Sequence, residues 1–142
     1  MFTLKDQYGK KLVIADPDEF QDFFKKIPSG KWSSGSGDIC LLNNDNGFYI
    51  SISKIGVGDR YIITSAEKFG DDLYVYVSSK NYTTTVEYSV GGESVKFPSE
   101  FFVEENFVYK FASELIHKGY IEFSGNWVVL HQQEWPGMED DF

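Results

Sequence analysis

The sequence has little of what most protein chemistry is built on. Of its 142 residues one is cysteine and two are histidine: Cys40, His117 and His131. One thiol excludes an internal disulfide and any zinc site made from paired cysteines, and the histidines stand in no HxxxH or HxxE spacing. Arg60 is the single arginine, so the basic stripe expected of a nucleic-acid binder is missing. Gly35-Ser36-Gly37 and Gly56-Val57-Gly58 each lead into a strand pattern and lack a following lysine and helix, which argues against a phosphate loop. No segment approaches the roughly 20 apolar residues of a membrane span, and a charge at Lys5 interrupts the N-terminus before a leader-like run can build. These absences predict no cofactor, no metal, no nucleic-acid, membrane or small-molecule partner, and a reducing cytoplasm as the compartment.

What is present is apolar and aromatic. Apolar residues make up 42% and aromatics 18%, enough for one folded core in a chain of single-domain length and inconsistent with disorder. The net charge of -9 is unevenly spread. Residues 1–70 carry nine acids and nine bases, whereas 71–142 carry thirteen acids against four bases and hold the whole imbalance. A one-sided acidic surface steers basic proteins toward it. Its plainer role is to keep the protein in solution.

Along the chain, Phe2–Lys5 and Lys11–Ala15 flank Tyr8-Gly9-Lys10 and read as a hairpin. Asp16-Pro17-Asp18-Glu19 opens a helix whose apolar face is Phe20, Phe23, Phe24 and Ile27. The Ser/Gly-rich stretch 29–37 reads as a loop, whose Trp32 either covers the core edge, the preferred reading for a large aromatic, or stands out as a binding anchor. From Asp38 the pattern changes to strands: Ile39–Leu42, Phe48–Ile55, Arg60–Ala66, Leu73–Ser78 and Tyr82–Val90, joined by short polar turns. Gly91-Gly92 interrupts and Val95–Phe97 resumes. A second helix begins between Pro98 and Glu104 and runs to Lys118, where Gly119 closes it. Tyr120–Phe123 and Trp127–Leu130 read as a closing hairpin. The predicted fold class is α+β: a single antiparallel meander sheet of about six to eight strands with two main helices on one face. Residues 1–131 form the domain and 132–142 an acidic aromatic tail, expected to be poorly ordered by itself.

Catalytic readings are thin. Cys40 lies in the apolar run Ile39–Leu42, where a buried inert thiol is expected rather than a nucleophile. Paired acids such as Asp71-Asp72 and Glu104-Glu105 have no spacing that forces them to converge on a substrate. A small hydrolase using Cys40 or paired acids, or a general protein-binding adaptor, are the alternatives. The residues that suit a protein interface are carboxylates with nearby aromatics, since rings supply anchor area and acids pair with a basic partner. They are Asp71, Asp72, Tyr74, Tyr76, Glu87, Glu93, Trp135, Glu139, Asp140 and Asp141.

The order Glu87-Tyr88-Ser89-Val90-Gly91-Gly92-Glu93, Phe97-Pro98-Ser99, a helix, Gly119 and a strand bearing Trp127 resembles the first-numbered immunity family of bacterial polymorphic toxin systems. Some members of that family neutralise nucleic-acid deaminase toxins. The resemblance implies a non-enzymatic inhibitor that binds a cognate toxin domain, basic around its cleft, and blocks the active site. By the same resemblance Gly91, Gly92, Pro98, Gly119 and Trp127 are framework residues and no catalytic residue is carried over.

Overall fold

The structure, a computed structural model, describes residues 1–55, 59–90 and 93–136. The chain opens with β1 (Phe2–Lys5) and β2 (Lys11–Ile14), paired so that Phe2 faces Ile14 and Leu4 faces Leu12. Their turn is held from within. The Asp6 carboxylate accepts from the N–H groups of Tyr8 and Lys10, both at 2.9 Å, and meets Lys31 Nζ at 3.1 Å. Burial alone raises this carboxyl, but the backbone N–H groups and the Lys31 ammonium outweigh it and hold it below its ordinary 3.8.

Helix α1 (Pro17–Lys25) starts as the sequence predicts. Asp16 accepts from the Glu19 N–H at 2.9 Å while Glu19 reaches back to the Ala15 N–H at 3.2 Å. Residues Ser29–Ser33 form a short 3-10 turn rather than an irregular loop. That turn carries Trp32 into the core against Phe24 and Tyr61.

The strands β3 (Asp38–Asn43), β4 (Tyr49–Lys54), β5 (Arg60–Ala66) and β6 (Tyr74–Tyr76) are the predicted meander. The chain then leaves this sheet for a separate hairpin, β7 (Thr85–Val90) and β8 (Glu93–Pro98). It returns with the two-residue β9 (Val103–Glu104), α2 (Glu105–Lys118) and β10 (Trp127–Val129). The large sheet has eight antiparallel strands in the order β10-β6-β5-β4-β3-β1-β2, with β9 on β5. Two helices on an antiparallel meander make the fold α+β, as read from the sequence.

Two cores lie on the two faces of this sheet. On one, Phe20 and Phe24 of α1 and Val108, Phe111, Ala112 and Leu115 of α2 cover Leu4, Ile39, Leu41, Ile50, Ile52 and Ile63. On the other, Phe101, Phe102 and Trp135 join the hairpin's Tyr88 and Phe97 over Ile62, Val75 and Val77. Strand β6 is therefore covered on both sides, Tyr74 and Tyr76 toward the helices and Val75 toward the hairpin. That second cover is why the hairpin stands apart: alternation in β6 gives each face an apolar row that needs a lid. Among the described residues, the predicted strand at 120–123 is absent, and Trp127–Val129 pairs with β6 instead. The turns expected at Gly56-Val57-Gly58 and Gly91-Gly92 lie outside the described residues.

Candidate functional site: an acidic, aromatic end of the sheet

Three connections meet at one end of the large sheet: the turn after β3, the loop 67–73 after β5, and the segment after α2. The first is locked by asparagines. Asn43 Oδ1 accepts from the Asp45 N–H and Asn46 Oδ1 from the Phe48 N–H. Both side-chain amides also donate to the Gly119 carbonyl, at 2.9 and 2.8 Å. Gly119, at φ +82°, ends α2 in the left-handed conformation, so the two amides satisfy a carbonyl at the helix terminus and fix where Tyr120 emerges. A Cβ at Gly47 would run into the Lys68 stem, so the first turn also seats the second loop.

The result is a groove of about 320 Å³ with Phe48 and Ile121 as buried lining and Phe69, Tyr120, Glu67 and Lys68 at its sides. Phe69 is 88% exposed and Tyr120 48%. Beside it lies a second cavity of about 250 Å³ lined by Glu67, Gly70, Asp71, Asp72, Tyr74 and Phe123, three carboxylates with no basic side chain in the lining. Its rings are stacked: Tyr74 on Phe123 at 3.8 Å and 8°. His131 Nε2 lies 3.7 Å from Asp72 Oδ1 at its edge.

Of the residues the sequence selects, this end gathers Asp71, Asp72 and Tyr74. Tyr76 shares the face of Tyr74 but lies under α2 among Phe107, Phe111 and Trp127, at 4.7 to 5.4 Å, and burial pushes its phenol up. Glu87 is on the hairpin, opposite Lys96 in the strand register and accepting from the Ser94 hydroxyl. Glu93 is exposed at the start of β8. Trp135 packs on Phe97 and Phe101 at 5.8 and 5.3 Å and is 9% exposed. The tail as far as Trp135 thus closes the second core instead of standing free. Glu139, Asp140 and Asp141 lie outside the described residues.

The catalytic alternatives find little geometry. Cys40 is half-buried on the face of β3 away from the helices, and burial, then Asp38, pushes its thiol up to about 11. His131 follows β10, with β6, β5 and β4 between it and β3; at about 4.8 Å per strand that is roughly 19 Å. Among the described residues no three His, Cys, Asp or Glu side chains are grouped as metal ligands, and no helix is long and apolar enough to cross a membrane.

Phe69 and Tyr120 are not legible in the sequence as site residues. Phe69 sits in a turn, between Lys68 and Gly70, outside any alternating run; a large ring in a polar turn is the signal that was there to use. Tyr120 is masked by its place in an apolar stretch that reads as a strand. No family model matches this chain, and neither a curated protein nor a solved structure matches it.

Proposed function

We propose that this chain is a stoichiometric inhibitor of the immunity type it resembles, binding a toxin domain that acts on nucleic acid and covering its active-site cleft with acidic surface. The observation that carries this reading is the placement of Glu67, Asp71 and Asp72 around one cavity lined by no cation. Carboxylates held on a folded surface at that density mimic the phosphates such a cleft binds and draw a basic partner in by long-range steering. The acidic excess of residues 71–142 and the order of strand, hairpin, helix and tryptophan strand support it. The inhibitor acts in the cytoplasm, before the toxin reaches its substrate.

The test is co-expression with the toxin domain encoded beside this chain, followed by calorimetric titration of the two purified proteins. Cell survival and a one-to-one complex are expected. A folded protein that neither rescues growth nor binds the domain would remove the proposal.

A further inference from the structure

Among the described residues the most exposed ring is not scattered surface. Phe69 at 88% and Tyr120 at 48% exposure share one groove, over the buried Phe48 and Ile121. Single exposed apolar residues are ordinary, but neighbouring ones forming one patch mark contact surfaces. The loop is seated by the Lys68 stem over Gly47 rather than by Phe69, and the Lys68 ammonium lies 5.2 Å from the Phe69 ring.

We infer that this groove is the docking face for a basic protein surface, with the Phe69 ring as an anchor that enters a recess on the partner. The inference rests on the inhibitor reading and names the contact that reading leaves open. The choice of occupant follows from charge. Glu67 lines the groove and, with Asp71 and Asp72, the cavity beside it. Asp45, its side chain 84% exposed and 3.8 Å from the N-terminal ammonium, stands on the turn before Asn46. Against these carboxylates stand Lys68, over the ring, and His131, beside Asp72, so acids still predominate. Nucleic acid and anionic headgroups are repelled by this rim. A second copy meeting the same face across a two-fold axis sets carboxylates against carboxylates. An apolar partner without cations strips water from those carboxylates and gives nothing back. A recess ringed by Lys and Arg satisfies both parts, apolar for the ring and charged for the rim.

The experiment titrates the same purified toxin domain at low salt, near 50 mM, where surface charges are weakly screened. Four proteins are compared: wild type, Phe69→Ala, the double variant Asp71→Asn with Asp72→Asn, and Tyr8→Ala as a control, each checked for an unchanged melting temperature. Tyr8 is 63% exposed on the β1–β2 turn at the other end of the sheet. Phe69→Ala is expected to weaken binding about thirtyfold or more, as loss of an anchor does. The double variant should associate several-fold more slowly with a flatter salt dependence, and Tyr8→Ala should match wild type. If wild type binds and Phe69→Ala stays within about threefold of it, the docking face is elsewhere while the inhibitor reading stands. If wild type does not bind, both fall together. Self-association by sedimentation, abolished in Phe69→Ala, would overturn the basic partner in favour of a second copy.

Discussion

Each end of the large sheet presents an exposed ring with a lysine over it, and the charge around the two rings differs. Tyr8, on the β1–β2 turn, lies among Lys5, Lys10 and Lys11, with Lys31 Nζ 5.4 Å from its ring centre. Phe69, on the β5–β6 loop, has Lys68 Nζ 5.2 Å from its ring and Glu67 in the same groove, with Asp71 and Asp72 lining the next cavity. The turn under Tyr8 is tied down by a buried carboxylate; Asp6 binds two backbone N–H groups and a lysine. At the Phe69 end the connections are held mainly by backbone and amide groups, Asn43 and Asn46 on the Gly119 carbonyl and the Gly70 N–H on the Glu67 carbonyl, and Phe69 and Tyr120 face solvent. Aromatics alone therefore do not mark the working surface. What separates the ends is the surrounding charge, chiefly lysines about Tyr8 and chiefly carboxylates about the Phe69 loop.

The contrast is first broken by damaging framework. Trp127→Ala removes a ring that meets Phe111 at 4.8 Å, Tyr76 at 5.4 Å and Phe123 at 5.6 Å. It should cost about 3–5 kcal/mol in denaturant unfolding. A cost below about 1 kcal/mol would show that the aromatic layer under α2 is not the core.

Next comes the closed turn. Asp6→Ala leaves two N–H groups and Lys31 without their acceptor, for a loss of about 3 kcal/mol at neutral pH. The pH dependence has a definite sign. Because the folded carboxyl sits below its ordinary 3.8, its stabilisation is present above that value and disappears as pH falls through the lowered folded value. Acid unfolding of wild type should show this loss, and Asp6→Ala should show less of it. Equal acid sensitivity in the two proteins would mean that Asp6 is not the group responsible.

Gly119→Ala is smaller. At φ +82° the new Cβ is strained and stands 3.1 Å from Asn43 Nδ2, which predicts a loss of roughly 1–2 kcal/mol. The same strain moves Tyr120, so affinity for the toxin domain should fall with stability. Phe69→Ala sharpens the comparison from the other side, with a stability change within about 0.5 kcal/mol alongside the loss of binding.

Much of the framework could be read from the chain because it is written in local signals. Asp16-Pro17 with Glu19 opens a helix, Gly119 closes one, and Phe48, Ile50 and Ile52 alternate down a strand. The separate hairpin and the burial of Trp135 could not, because both depend on which face of β6 lacks a cover, and that is decided by residues far apart in sequence. The site divides along the same line. Asp71 and Asp72 stand out as adjacent charges, and the structure does bring Tyr74 to them. Tyr76 follows the same alternation but falls beneath a helix that the strand pattern does not locate. Phe69 shows only as a large ring in a polar turn, and whether anything packs on such a ring is decided by parts of the chain distant in sequence.

In the proposed complex, contact runs through the acidic end of the sheet. The most direct measurement places the photocrosslinker benzoylphenylalanine at position 69 in one protein and at position 8 in another, each mixed with the purified toxin domain and irradiated. A strong crosslinked product from position 69 and none from position 8 is predicted. Crosslinking from position 8 alone would contradict the claim and move the working surface to the basic end of the sheet.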